Sequence, residues 1–321
     1  MSKYITTQSA HCFYGNISNI LNYHNIDISE SELVLISDIL NGEYHNNDMV
    51  PFVGFQNEKY KIGLNKLGCE IEYINDKIRF FEMLEMGYPI LLKLNSTALN
   101  YSYVYKESTK RNHYIVAIKC DNEMILISDS YIQTIPQSIY QGPINRDVIA
   151  MQLENNQASG MTIIPPIIKN HESWRSKCDL IKQLDEYILL NICDCNNSIC
   201  KLMHKYCEYA AQNVTSILFS DSMEEMIYQL KFSGAIARWD YLITLFCTYY
   251  QINKVMVDEL RRLKDKWNIV NNKLRKCSIT RRIEYFQNIF NTDIPQLLEN
   301  ELIIYKTIAY SRGINNDTTN R

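Results

Sequence analysis

The sequence predicts an α+β domain followed by an all-helical one, and three observations carry that reading. Up to about residue 86 helical periodicity dominates, whereas residues 89–164 are mainly runs of strand formers separated by turn residues. Pro165-Pro166 then interrupts the chain. Beyond it, from Glu172 to Tyr310, helical spacing is nearly continuous and Gly234 is the single glycine. Helices first and antiparallel strands afterwards is the pattern of an α+β domain. The domains that follow are 1–165 and 166–321.

Behind Cys12, residues Tyr14, Ile17, Ser18, Leu21 and Asn22 recur at helical spacing, with Ile20 beside them. Ser29-Glu30-Ser31-Glu32 is a capping box ahead of Leu33, Ile36, Ile39 and Leu40, and Gly42 is the expected stop. A further helix should end at Gly68, before a strand from Cys69 to Ile74. Another, from Lys77 to Met86, should stop at Gly87. Strands are expected at 89–94, 113–118, 124–127 and 161–164, with Asp121-Asn122 as a hairpin turn. Tyr101, Tyr103 and Tyr105 alternate as strand residues do and are candidates for an aromatic channel. In the second half, Leu180, Leu184, Ile188 and Leu189 repeat at helical spacing, as do Met226 and Leu230, then Tyr241, Leu245 and Tyr249. The polar tail, 315–321, is expected to fray.

Composition narrows the function. A chain of 321 residues can bury two cores. No apolar run approaches the roughly 20 residues of a membrane span, and the N-terminus Met-Ser-Lys-Tyr-Ile-Thr-Thr lacks the apolar core of a secretory signal. The ten cysteines lack the spacing of a disulfide scaffold. The expectation is a soluble, cytoplasmic protein with reduced thiols. Residues 1–165 carry 12 Lys+Arg against 18 Asp+Glu, whereas the remainder carries 21 against 18. The excess gathers between Lys254 and Arg282, where Arg261, Arg262, Lys264 and Lys266 form a stripe suited to an acidic partner. Walker loops, dinucleotide fingerprints and nucleic-acid-binding motifs are absent. Cys193, Cys195, Cys200, His204 and Cys207 form the one metal-like cluster, but Cys193-Asp194-Cys195 lacks the usual ligand spacing and period-seven cysteines on a core helix explain it as well. No metal is assigned.

The chemistry gathers around Cys12. At a helix N-terminus, unpaired N–H groups and the positive end of the dipole favour thiolate over thiol. His113 opens a strand 101 positions later and Asp129 closes the next one. In a hairpin turning at Asp121-Asn122, position 113 falls roughly opposite position 130, so the two residues share an end. Cysteine, then histidine on a hairpin, then aspartate is how a papain-like thiol enzyme presents nucleophile, base and orienter. The Gln8 side chain and the Cys12 N–H are the candidate oxyanion donors. His11 and Tyr14, flanking the nucleophile, are the candidate substrate-binding residues.

The segment Ala10-His11-Cys12-Phe-Tyr-Gly-Asn-Ile-Ser-Asn-Ile-Leu-Asn-Tyr, followed by Asp27-Ile-Ser-Glu-Ser-Glu-Leu, resembles the opening of the butirosin-biosynthesis-protein-H-like family. Gly234-Ala-Ile-Ala-Arg238-Trp239 and Trp267 resemble the helical domain that often follows it. The resemblance implies a papain-like (C39-peptidase-like) cysteine protease fold used for synthesis. It implies an acyl group moved from a carrier-protein thioester, held on phosphopantetheine, to an amine acceptor in antibiotic biosynthesis, the acceptor being a diamine in one homologue. A carrier protein and a small amine are then the partners, with neither nucleic acid nor membrane. One departure is that Tyr23-His24-Asn25 stands where the family has glycine after its first helix. The alternatives are a peptidase or thioesterase using the same triad, and an inactive scaffold that binds carrier protein.

Overall fold

The computed structural model describes residues 3–45, 52–54, 58–107, 112–134, 136–166, 177–193, 198–232 and 234–314. In chain order the first elements are α1 (Cys12–Tyr23), α2 (Glu30–Ile36), β1 (Glu43–His45), β2 (Phe52–Gly54), α3 (Tyr60–Lys66), β3 (Glu70–Ile74) and α4 (Lys77–Glu85). Then come β4 (Ile90–Asn95), α5 (Tyr103–Glu107), β5 (Asn112–Cys120), β6 (Met124–Ile132), β7 (Ser138–Asn145), α6 (Arg146–Glu154) and β8 (Ser159–Ile164). The remaining described elements are helical, from α7 (Lys177–Ile192) and α8 (Ile199–Gln212) through α9 (Val214–Leu218), α10 (Ser222–Phe232) and α11 (Ala235–Leu245) to α12 (Lys254–Thr280), α13 (Ile283–Asn288) and α14 (Ile294–Arg312). The result is a mixed α+β chain with an antiparallel sheet and many helices. Among the described residues no helix is long and apolar enough to cross a membrane.

The chain divides into two compact units, Met1–Leu33 with Tyr60–Trp174, and Val34–Lys59 with Arg175–Arg321. A single cut at 165/166 therefore does not describe it, because residues 34–59 group with the helical unit. The reason is strand pairing. Among the described residues β1 pairs with β2 alone, and this small hairpin lies against α8 and α10 instead of extending the main sheet.

The first unit is built on a six-stranded antiparallel sheet in the order β3-β8-β4-β5-β6-β7. Ile90, Leu92 and Leu94 pair with Ala117, Ile115 and His113, so one face of β4 and β5 points into a core with Phe80, Phe81 and Leu84 of α4 and Ile149 and Leu153 of α6. Tyr114 and Val116 alternate to the other face, where α1 lies along β5 and β6; the Phe13 and Tyr114 rings meet there at 4.8 Å. β7 and α6 are findings of the structure. Tyr101–Tyr105 is not a strand: Tyr103–Glu107 is helical and Tyr103 is exposed.

Local signals behave as their chemistry requires. The Ser29 N–H donates to Glu32 Oε2 (2.7 Å) and the Glu32 N–H to Ser29 Oγ (3.2 Å), a reciprocal cap. α2 nevertheless ends at Ile36, short of Gly42, because Asp38 turns into the left-handed region at φ 58°. After α1, Asn25 takes φ 63°. Asparagine tolerates that conformation better than any residue but glycine, so the absence of glycine there needs no different loop.

In the second unit a buried charge organises the helices. Arg238 on α11 donates to both Glu301 oxygens on α14 at 2.7 and 2.6 Å. Trp239 and Trp267 each donate an indole N–H to Glu301 Oε1 at 2.7 Å. Three helices thus meet on one carboxylate. Removing it leaves Arg238, 1% exposed, as an uncompensated buried cation. Glu301→Ala should destabilise this unit by about 3–5 kcal/mol in urea unfolding; a loss near zero would mean that the pair has no structural role.

Candidate active site

Cys12 is the first residue of α1. The turn that carries it is held from several directions. The Ser9 N–H and Oγ both donate to the Ser130 carbonyl at 3.0 Å, and Thr6 bonds Ser128 Oγ at 2.7 Å, so the chain ahead of Cys12 is fastened along β6. Behind it, the Asn16 amide donates to the Tyr114 carbonyl on β5 (2.9 Å). Glu30 spreads its two oxygens over the N–H groups of Ala10 (2.8 Å) and His11 (2.9 Å). Gly15 lets α1 lie this close. A Cβ there would fall 2.0 Å from Ser9 Cβ.

His113 and Asp129 meet because β5 carries a bulge. Near the turn, Lys119 pairs with Leu126 and Cys120 with Ile125, but after the irregularity Ala117 pairs with Ile127 and Val116 with Ser128. Ile118 is the extra residue. Had the first register continued, Asp129 would sit opposite Val116, on the face away from His113. The shift of one places it opposite Ile115, on the same face as His113. The hairpin turn spans Asp121–Met124, closed by the Asp121 N–H on the Met124 carbonyl at 2.9 Å, so beyond the bulge His113 falls opposite Tyr131, one position from the expected 130. His113 Nε2 lies 3.0 Å from Asp129 Oδ2, which leaves Nδ1 as the ring nitrogen for the Cys12 sulfur, with which the imidazole also hydrogen-bonds.

Two tyrosines enclose the carboxylate. Tyr101 donates to Asp129 Oδ2 at 2.8 Å and Tyr105 donates to the same oxygen, its hydroxyl also lying 2.9 Å from His113 Nε2. Tyr101 is backed by Tyr140, stacked at 4.1 Å. The expected aromatic channel is therefore corrected. Tyr101 and Tyr105 wrap Asp129, and Tyr103 faces solvent at 62% exposure. Asp129 is fully buried and His113 is 8% exposed, so the pair works away from bulk water, where its attraction is strong.

Burial alone would strip the His113 charge, but Asp129 and the Cys12 sulfur, with their hydrogen bonds, outweigh it and hold the imidazole up to about 10. It is a cation at neutral pH. That cation and the N–H groups of the first helical turn are the two features that favour a thiolate. The stability gained from this shift is complete below the ordinary 6.5 and is lost as the pH rises through about 10.

The other expected residues fall as follows. His11 is the N-cap of α1, its Nδ1 accepting the Phe13 N–H at 3.1 Å. Tyr14 is 1% exposed and packs on His11 and Phe13. Gln8 is exposed; among the described residues no hydrogen bond directs its amide. The amides of Ala10, His11 and Phe13 are committed to Glu30 and the His11 ring, so that of Cys12 is the backbone donor left for an oxyanion. Glu30, Ser9, Gly15 and Asn16 were not singled out from sequence for the site, although a glycine inside a helix signals close approach.

Three of the four residues of the basic stripe on α12 pair within their own unit. Arg261 pairs with Asp258 at 3.9 Å, Arg262 with Glu259 at 2.6 Å, and Lys264 with Asp240. Cys195 lies outside the described residues. Among those described, no three His, Cys, Asp or Glu side chains gather as a metal-ligand set. Cys207 is buried, its thiol pushed up to about 12 by desolvation.

Asp129→Asn removes the largest of the influences that raise His113. Its imidazole titration, followed by NMR, should fall from about 10 toward or below 6.5; an unchanged midpoint would show that the carboxylate does not set the charge. Gly15→Ala should cost about 1–3 kcal/mol and slow iodoacetamide labelling of Cys12, since α1 or Ser9 must move. Wild-type stability and labelling in that variant would contradict the close approach.

Comparison with known proteins finds no family model that matches the chain and no curated protein that does. Among solved structures the chain is similar to a protein described as a C39-like peptidase from Bacillus anthracis, with a TM-score of 0.38 and 13% identity over 52% of this chain and 96% of that one. It is also similar to the peptidase domain of Streptococcus ComA, a bi-functional ABC transporter involved in a quorum-sensing pathway, with a TM-score of 0.34 and 13% identity over 51% and 100%. Both neighbours are described as peptidases, and the likeness is weak.

Proposed function

We propose that the protein is a cysteine-dependent acyltransferase that takes an acyl group from a carrier-protein thioester onto Cys12 and passes it to an amine. The observation that supports covalent chemistry is the convergence of a helix-terminal cysteine with a buried His113–Asp129 pair. The sulfur attacks the thioester carbonyl, the carbonyl electrons move to oxygen, and collapse expels the carrier thiolate, which takes the His113 proton. The acyl group is now a thioester on Cys12. An amine then attacks, His113 accepts its proton, and the amide leaves as the Cys12 thiolate returns. Exchange of one thioester for another costs little, so positioning the amine ahead of water is the main demand on the site.

Amide synthesis is favoured over hydrolysis by the His-Cys motif and the helical second unit, features of the butirosin-type resemblance. Antibiotic biosynthesis, and a diamine as one acceptor, come from the same resemblance. Hydrolysis of a peptide or thioester is the second reading, favoured by the peptidase character of the similar structures.

Incubation with acylated carrier protein should add the acyl mass to the intact enzyme, and Cys12→Ala should abolish both the adduct and turnover. With an amine present the product should be the amide. Free acid at the same rate with and without amine would make the enzyme a hydrolase, and turnover by Cys12→Ala near the wild-type rate would remove the covalent mechanism.

A further inference from the structure

We infer that His11 is a catalytic residue whose ring Nε2–H donates to the oxyanion formed when Cys12 attacks an acyl carbonyl, an assignment that rests on the reading of Cys12 as the acylated nucleophile. An oxyanion site needs donors already aimed before charge develops. The Cys12 N–H is one. The second is not found where it was expected, since Gln8 is exposed and the His11 backbone N–H is held by Glu30 Oε1 at 2.9 Å. The His11 ring has what Gln8 lacks. It stands directly before the nucleophile, with φ −144° and ψ 132°, and its Nδ1 accepts the Phe13 N–H at 3.1 Å.

That bond fixes the tautomer. A neutral imidazole with Nδ1 as acceptor carries its proton on Nε2, and Nε2 bonds to no acceptor among the described residues. The Tyr14 ring at 5.1 Å supports the imidazole from the side. Backbone, ring nitrogen and ring surroundings are all held, so little ordering remains to be done in the transition state. Burial and the neighbouring His113 cation push His11 down to about 4, so it stays neutral and donates without competing for protons. Proton transfer then falls to His113, which gives up its proton first and takes one back later. The two imidazoles thus divide the work, His113 as proton carrier and His11 as hydrogen-bond donor.

The step balances without further reagents. As the sulfur–carbon bond forms, the π electrons pass to oxygen and are met by the Nε2–H and the Cys12 N–H. On collapse they return to the carbonyl, the leaving thiolate departs with the His113 proton, and His11 is unchanged.

His11→Ser keeps an N-cap of good quality and removes the distant donor. Two reactions of Cys12 separate the roles. Acylation by S-acetyl-N-acetylcysteamine passes through an oxyanion, whereas alkylation by iodoacetamide expels iodide and forms none. In His11→Ser, acylation should slow by about 10²–10³-fold while alkylation stays within about twofold of wild type and the melting temperature is unchanged. Equal acylation rates in variant and wild type would overturn the assignment. A parallel loss of alkylation would also overturn it, because the ring would then act on the thiolate or the fold. Failure of the wild-type enzyme to be acylated at all would instead strike the reading of Cys12, and the assignment would fall with it.

Discussion

His113 and Asp129 sit on neighbouring antiparallel strands, and two such residues meet only when the register puts them on one face. In this chain the register near the turn does the opposite, and the single unpaired residue at Ile118 corrects it. Everything else at the site assumes that correction. Without it Asp129 would turn toward the α1 face, the imidazole would lose its carboxylate, and Cys12 would face a neutral, unoriented ring. One extra residue in a strand is inexpensive in backbone terms, yet it selects which residues can act together.

The second requirement is that a helix and a hairpin distant in sequence arrive in register. The fastening is done next to the reacting residues. Ser130 follows Asp129 and accepts from Ser9; Tyr114 follows His113 and accepts from Asn16. The strand neighbours of His113 and Asp129 are therefore the anchors for the residues on either side of Cys12. Small errors in helix position are thereby resisted close to where they matter, and Gly15 gives the backbone room for that closeness.

Charge follows from geometry. His113 is raised to about 10 by its carboxylate and sulfur partners, and His11 is lowered to about 4 by burial and by that very cation. The difference between the two lies in their partners. A histidine that faces carboxylate holds its proton; one that accepts a backbone N–H and faces a cation does not. Tyr101 and Tyr105 complete the arrangement by donating to Asp129 Oδ2, satisfying a buried carboxylate oxygen that would otherwise be costly.

Much of this was legible in the residues themselves. The helix behind Cys12, the Ser29–Glu32 cap, the stops at Gly68 and Gly87 and the strand runs 89–94 and 113–118 follow from local periodicity and turn chemistry, which act over a few residues. The order of Cys12, His113 and Asp129 was visible for the same reason. Less legible were β7, α6 and the fate of Tyr101 and Tyr105, whose alternation imitates a strand while Tyr103–Glu107 is helical. The sequence by itself determined most of the helices and strands and the order of the candidate residues, because propensity, capping and burial patterns are local. Only the tertiary structure decided that residues 34–59 group with the helical unit, that Glu30 grips the turn before Cys12, and that Asp129 shares a face with His113. Those outcomes depend on strand partners and register, and a one-residue shift in pairing leaves no mark on local composition.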